Sequence, residues 1–511
     1  MKKIILLSVG IIFSVNGFSQ VTFQRTYGTT SSFEGYAVQQ TEDGGYIIAA
    51  NPKTSSQPYA YLIKTDSNGD TLWSSHYRAG YGYLYSVKQT IDGGFIAAGY
   101  DGFKAYLLKT DSNGNLLWSK LFGGTPYSYA YSVTQSEDSG FVIAGVAHNN
   151  FVVASEDFLL VKTDANGNLV WSNTYGGNNI DLANYVERTN DHGYIVTGNT
   201  SSFGVGNSDV YLVKTDAAGN LSWSRTFGGN DSDEGHCVQQ TSDGGYIIAG
   251  KTLSFGSGNW DIFVIKTDSS GNLNWSKTYG GASWDDASTI KQTNDGGYII
   301  AGYANYDVVL IKIDGVGNMM WNNSFGGTGL EIGSALDIAN DGGYAIVGQT
   351  STFSTGYIRV YFIKTDSIGN SGCNEMTLSL STTIPTTQTI NPATIVSAIN
   401  ATSIPNTVVG RGIDMVKLCY VGIDEGKKEK EYFLISPNPA INEIGITNAE
   451  FRIIEIEIYD VMGKKIKVLT PGPSPSGEES ASIDVSKLTP GIYFVKVKGE
   501  TGERVAKFVK Q

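Results

Sequence analysis

The chain has 511 residues, 63 of them glycine, with 17% charged residues and a net charge of −13. So much glycine with so few charges suits turn-rich β structure, not long solvated helices. The acidic balance argues against a nucleic-acid partner, which needs a basic face.

The first element is a leader. Lys2 and Lys3 precede an apolar run from Ile4 to Phe13, and Gly17-Phe18-Ser19 gives a small-x-small site. This pattern predicts a signal peptide over 1–19 and hence export. The run is shorter than the ~20 apolar residues of a membrane span. No other stretch qualifies, so no transmembrane segment is expected.

From 20 to 370 one unit recurs. Variants of "SDGGYIIAG" (242–250) stand around Asp43, Asp92, Asp138, Asp191, Asp243, Asp295 and Asp341. In the unit 236–281, four β-prone runs at 237–241, 246–249, 262–267 and 273–279 are separated by turns bearing Gly and Asn. A four-stranded meander repeated at this period predicts an all-β fold, a seven-bladed β-propeller. We letter the strands A to D from the centre outward. The Asp of each C–D turn precedes the Trp of strand D by 7 residues at Trp73, Trp118, Trp171, Trp223, Trp275 and Trp321. Those tryptophans are expected to pack between neighbouring blades. All the length variation lies between strands B and C, which places a ligand site on the face carrying the B–C loops.

The ring also shows how it closes. Phe23 stands 20 residues before Asp43, as Trp171 stands 20 before Asp191, so 21–28 reads as a strand D with no A, B or C before it. At the other end Cys373 occupies the Trp register and no strand D follows. The N-terminal strand is expected to complete the seventh blade and so remove open edges.

The stretch "KTDSNGNLLW" (109–118) resembles the tryptophan-docking repeat of quinoprotein-type propellers. The resemblance covers the repeat only. Quinone enzymes of that family have eight blades and a calcium-bound cofactor, and no such ligand set carries over, so no cofactor is expected. "DSNGD" (66–70) has the look of a calcium loop but lacks the remaining ligands. Its twin in every repeat marks it as a hairpin turn.

Residues 371–430 are rich in Thr, Ser, Ile, Pro and Asn and read as a β-prone stalk, free or packed on the propeller, with a linker at "DEGKKEKE" (424–431). Cys373 and Cys419 are expected to form a disulfide in an exported protein. Cys237, in the register of Ala37 and Ser86, reads as a small buried thiol.

The last part, 431–511, contains "FLISPNPAINEIGI" (433–446), "IEIYDVMGKKI" (456–466), "LTPGIYFVKV" (488–497) and "KFVKQ" (507–511). These resemble the type A sorting domain of the type IX secretion system. The resemblance implies a small β-sandwich read by the outer-membrane translocon. It also implies a protein that is secreted or held at the cell surface, attached to the outer membrane or released once the tail is removed. The motif positions are Pro437, Asn438, Pro439, Tyr459, Asp460, Gly463, Pro490, Gly491, Tyr493 and Lys507. The insert 470–481 reads as a loop between strands.

Catalytic chemistry is not evident. His76, His148, His192 and His236 share no metal spacing, and no nucleophile–His–acid set, HEXXH or P-loop occurs. No catalytic or metal-binding residue is assigned. Two tryptophans stand outside the repeat register, Trp260 and Trp284, both on the B–C face at the fifth blade and its junction with the sixth. Asp233, Glu234, Asp285 and Asp286 are expected nearby. Indole rings stack on the C–H face of a sugar, and carboxylates accept its hydroxyl hydrogen bonds. Against this, Asp181, Asp233 and Asp285 share one register, and Asp157, Asp209, Asp261 and Asp307 share another. Such repetition points to turn structure. Heading strands A and C of one blade, Asp233 and Asp261 are expected ~10 Å apart, too far for one metal. The expected function is binding or adhesion at the cell surface, to a glycan or a protein. A polysaccharide-acting enzyme and a purely structural surface protein are the alternatives.

Overall fold

Each repeat ties its first turn to its third strand. In the first, Asp43 Oδ1 accepts hydrogen bonds from Thr41 Oγ1 (2.5 Å) and Gly45 N (3.0 Å), and Gly44 between them has φ 81°. Ser139 and His192 adopt the same left-handed conformation in the third and fourth repeats, where the others use glycine. The lysine of strand C reaches back to this carboxylate. Lys64, Lys109, Lys162, Lys214, Lys266, Lys312 and Lys364 meet Asp43, Asp92, Asp138, Asp191, Asp243, Asp295 and Asp341 at 2.7–2.9 Å. The lysines are buried and each also donates to the carbonyl of the next residue, as Lys64 does to Thr65 O at 2.9 Å. The "DG" and "KTD" motifs are therefore two halves of one ion-paired frame.

The computed structural model describes residues 20–510, apart from 54–58, 79–81, 124–126, 149–154, 355, 399–407, 412–413, 422–433, 437–441, 448–452, 461–464, 470–480 and 500–501. The expected signal at 1–19 lies outside the described residues. Two compact units emerge, Met1–Ile423 and Asp424–Gln511. Among the described residues the chain is all β, and no helix is long and apolar enough to cross a membrane.

In the first unit, four-stranded antiparallel meanders follow one another as seven blades. The fifth is typical, with strands Asp233–Gln240, Tyr246–Thr252, Asp261–Thr267 and Leu273–Gly280. Strand A begins four residues earlier than its hydrophobic pattern suggests, because a bulge between Gly235 and Cys237 breaks the two-residue alternation. The same bulge recurs in every strand A. Neighbouring blades pack face to face, and the strand A of the first, Phe33–Gln40, packs on the seventh, so the sheets form a ring.

The repeat tryptophans dock between blades, as their register predicts. Trp73, Trp118, Trp171, Trp223, Trp275 and Trp321 each lie over the C–D turn glycine of the next blade: Gly114, Gly167, Gly219, Gly271, Gly317 and Gly369. Each of those glycines has φ between 74° and 88°. Each indole also meets the first aromatic of the next strand B, as in Trp223 with Tyr246 at 5.7 Å. Phe23 plays this part at Gly69 and Tyr46.

The N-terminal strand Thr22–Gly28 does pair with Arg359–Lys364 and completes the seventh blade. It is not the outermost strand there. Asp414–Val421 pairs with its other edge, which departs from a stalk. The segment after Cys373 runs along the rim and adds one short antiparallel strand to blade after blade. Glu375–Met376 pairs with the sixth, Ser381–Thr383 with the fifth, Gln388–Ile390 with the fourth, Ile395–Ala398 with the third and Val408–Arg411 with the first. This belt visits the blades in reverse order. Side chains pin it between pairings: Thr387 Oγ1 lies 2.7 Å from Ser276 Oγ and Thr394 Oγ1 lies 2.8 Å from Ser224 Oγ. Leu378 and Leu380 pack on the apolar core between the fifth and sixth blades. Cys373 is disulfide-bonded, whereas Cys237 is a free, buried thiol. The backbone of Cys419 lies opposite Gln24, and its side chain is outside the described residues.

The second unit is a small β-sandwich. One sheet pairs Leu434–Ser436, Glu443–Thr447 and Ala481–Asp484; the other pairs Lys465–Leu469, Ile453–Asp460, Gly491–Gly499 and Gly502–Lys510. Ile444, Ile446, Ile456, Ile458, Ile483, Val495 and Val497 close between them. Tyr493 is buried, its hydroxyl donating to Thr489 O at 2.9 Å, and Tyr459 donates to Glu457 at 2.7 Å. Asp460 and Lys507 lie in strands, and Pro490 and Gly491 precede one. Pro437, Asn438, Pro439 and Gly463 lie outside the described residues.

Candidate functional site

The seven strands A line a central channel. Beyond the bulge-free start of each, alternate side chains turn inward: Tyr36, Tyr85, Tyr131, Asn184, His236, Ser288 and Ser334 line one cavity of about 140 Å³. The side chains one pleat nearer the B–C face are Glu34, Tyr83, Tyr129, Leu182, Glu234, Asp286 and Ile332, all partly exposed. The channel mouth therefore opens on the face expected for a ligand site.

One side of the mouth, at the fifth and sixth blades, gathers most of the residues expected from the sequence. The Trp260 and Trp284 rings stack with centroids 6.4 Å apart and planes 27° from parallel. Trp284 is 49% exposed. Lys251, cross-strand from Glu234, holds its ammonium 4.6 Å from the Trp260 ring and 5.6 Å from Trp284. The same ammonium reaches Glu234 at 3.2 Å and Asp286 at 3.7 Å. His236 bridges the two acids, Nδ1 to Asp286 at 3.0 Å and Nε2 to Glu234 at 3.3 Å. Burial opposes a charged imidazole, but the two carboxylates outweigh it and push His236 up to about 10. Burial likewise opposes charge on Glu234 and Asp286, and His236 and Lys251 still hold both below their usual values. Two cations and two anions thus stand balanced beneath an indole platform.

Asp233 and Asp285 do not join this cluster. Both are fully buried. Asp233 Oδ2 accepts from Gly229 N (2.8 Å) and Ser254 Oγ (2.7 Å), and Asp285 Oδ2 accepts from Gly281 N (2.6 Å). Their near neighbours belong to adjoining blades, not to strand C of their own. A Cβ on Gly228 meets Asp209 Oδ1 at 1.8 Å and Asp233 Oδ2 at 2.6 Å, and one on Gly280 meets Asp261 and Asp285 in the same way. Asp157 with Asp181, and Asp307 with Glu331, repeat the arrangement at Gly176 and Gly326. Burial first, and the second carboxylate next as a raising charge, push Asp209, Asp261 and Asp307 up to about 6. These acid pairs are junction structure.

The opposite side of the mouth is paved with tyrosine, which the sequence reading did not single out. Tyr83 stacks on Tyr100 (5.2 Å), Tyr100 packs on Tyr129 (4.5 Å), Tyr129 stacks on Tyr127 (5.1 Å) and Tyr127 stacks on His148 (4.8 Å). Deeper, Tyr36, Tyr85 and Tyr131 continue the pavement at 5.1 and 5.3 Å. Tyr36 donates to Glu34 at 2.7 Å and Tyr127 donates to Glu156. The signal was present: "YLY" (83–85) and "YAY" (129–131) set two tyrosines on the same face of a strand.

Further down, a cavity of about 180 Å³ is lined by Lys88, Thr134, Tyr185, Glu187, Gln239 and Lys291, with Cys237 in its wall. Lys291 bonds Asp337 at 2.5 Å. Burial raises Glu187 to about 7, against the lowering effect of Lys291. Among the described residues no group of three or more His, Cys, Asp or Glu is placed to hold a metal ion.

The fold defines a repeat ring of antiparallel sheets joined to a small tail sandwich. The tail has a family: residues 434–511 match the model of the secretion system C-terminal sorting domain. The protein therefore carries a tail recognised by the type IX secretion system, and it is exported to be secreted or held at the cell surface. A stretch of 110 residues is 30% identical to the regulatory protein FlaEY of Caulobacter vibrioides, covering 19% of this chain and 12% of that protein. Among solved structures, the chain is similar to PorZ, described as an essential bacterial surface component of the type IX secretion system of Porphyromonas gingivalis. The TM-score is 0.37 at 8% identity, over 92% of this chain and 58% of that one. A Lactobacillus plantarum protein gives 0.34 at 11% identity, over 72% of this chain and all of the other.

Proposed function

We propose that the ring is a non-catalytic glycan-binding module displayed at the cell surface, with its site at the channel mouth. The observation that carries this reading is the stacked, half-exposed Trp260–Trp284 pair set beside hydrogen-bonding charges. Pyranose rings offer apolar C–H faces to aromatic rings and hydroxyls to ions. The tyrosine pavement across the mouth supplies more faces and hydroxyls of the same chemistry. The carboxylates at the mouth are ion-paired by Lys251 and His236, which suits hydroxyl recognition better than proton transfer.

The test is a glycan array probed with the protein and with Trp260→Ala/Trp284→Ala. We expect saturable binding to at least one glycan class, weakened tenfold or more in the double variant. Equal binding by the double variant removes the mouth as the site, and absence of glycan binding overturns the reading in favour of a protein ligand.

A further inference from the structure

We infer that the end of the channel next to the A–B turns is a subsite for a carboxylate, with Lys88 as its cation and Thr134, Tyr185 and Gln239 as supporting donors. The ligand is either an acidic sugar entering through the mouth or a small free carboxylate. The first case rests on the glycan reading and the second does not.

The argument is one of unmatched donors. Among the described residues, the other cations along the channel have their anions: Lys53 with Glu34, Lys251 with Glu234, His236 with Asp286, and Lys291 with Asp337. Lys88 is the exception, with no hydrogen bond or ion pair among the described residues, although it lines the cavity wall. Gln239 spends its amide oxygen on Gln292 N at 2.6 Å, which leaves its NH₂ group for the cavity. The Tyr185 and Thr134 hydroxyls line the same space with no hydrogen bond among the described residues. Glu187 is the one carboxyl on the wall, and it accepts a long bond of 3.4 Å from Gln240 N. A donor-rich cavity whose Lys88 ammonium feels Asp337 and Glu187 only at a distance, with no ion pair in contact, is complementary to an anion.

The route in is also visible. Lys88, Tyr185 and Lys291 line both this cavity and the one above it, whose wall includes Tyr36, Tyr85, Tyr131 and His236. A group entering past the tyrosines meets the two lysines next.

Titration supports the geometry. Burial, then Lys291, lower the Lys88 ammonium, while Asp337, Glu187 and Cys237 act the other way. A bound carboxylate relieves the first two effects. Glu187 competes with it once ionised, so binding should weaken as pH rises through about 7.

The experiment titrates the full chain calorimetrically with glucuronate, acetate and glucose, using wild type, Lys88→Met and Lys88→Arg. We expect saturable binding of the acids, a tenfold or greater loss in Lys88→Met with partial recovery in Lys88→Arg, and glucose indifferent to both changes. Glucuronate binding more tightly than acetate assigns the ligand to a sugar, and equal affinity assigns it to a free carboxylate. If neither acid binds, or Lys88→Met binds them as wild type does, the inference falls while the glycan reading stands or falls on its own array. Should Lys88→Met misfold, the wild-type pH profile decides: acid binding unchanged from pH 6 to 8 overturns the proposal.

Discussion

Gly228 and Gly280 mark places where two blades bring carboxylates together with no room for a side chain between them. At each, burial and the neighbouring charge hold one aspartic acid well above its unfolded value near 4. A group raised in this way stabilises fully below its unfolded pKa and loses that contribution as pH rises through the folded one. With Asp209, Asp261 and Asp307 at about 6, stability should fall between pH 4.5 and 7.5, by on the order of 2 kcal/mol per pair. The turn acids do not interfere in this window, because Asp138, Asp243 and Asp295 are held near 2. Thermal melts of wild type and Asp209→Asn check this: the variant should lose less between the two pH values. Parallel profiles would show that the pair is not the cause. The docking tryptophans set the other residue-level expectation. Trp171→Ala opens a void over Gly219 and should cost about 3–5 kcal/mol in denaturant unfolding, against well under 1 kcal/mol for a change at exposed Leu117.

At the scale of elements, the repeating strands were readable and the belt was not. Strands A to D announce themselves through Asp-Gly turns, fixed Asp-to-Trp spacing and apolar runs buried on both faces. The belt strands are two to four residues long for much of their course, as at Glu375–Met376 and Gln388–Ile390. The side chains of Ser381–Thr383 and Gln388–Ile390 are largely exposed, so no alternation marks these strands. Their purpose lies in the backbone, whose donors and acceptors cover the outer edges of strand D. Truncation after residue 374 should therefore uncover those edges and promote association. Light scattering and melting of 20–374 against 20–423 test it; a truncated ring that stays monomeric and melts unchanged would make the belt dispensable. The candidate site was half legible in the same way. Trp260 and Trp284 stood out because they break register. Lys251 and His236 went unremarked because they sit in register, where other blades carry Asn51 or Tyr100 and Tyr36 or Asn184. Asp233 and Asp285 were drawn toward the site by proximity in sequence, but a strand turns successive side chains to opposite faces, so Glu234 and Asp286 reach the mouth while their predecessors are buried at the blade junctions.

For the whole molecule, ring and tail are separate compact units, and the tail has a core of its own in Ile444, Ile456, Ile483 and Val495. Deleting 424–511 should leave the ring's melting temperature within a degree or two but abolish its appearance at the cell surface or in the medium. Cell fractionation with immunodetection checks this, and surface delivery of the truncated protein would overturn the assigned role of the tail. The sorting motifs were legible because they are short, ordered strings with a family behind them, whereas the ring's ligand has no such string. The path of the belt has a mechanical meaning as well. The chain enters the ring at Thr22 and leaves it at Val421, and these two residues face each other across one pair of strands. A load drawn through the tail thus enters at the seventh blade, on strands taken from opposite ends of the sequence. That blade is the clasp of the ring, the place where tension is first felt and where the circle would first come undone.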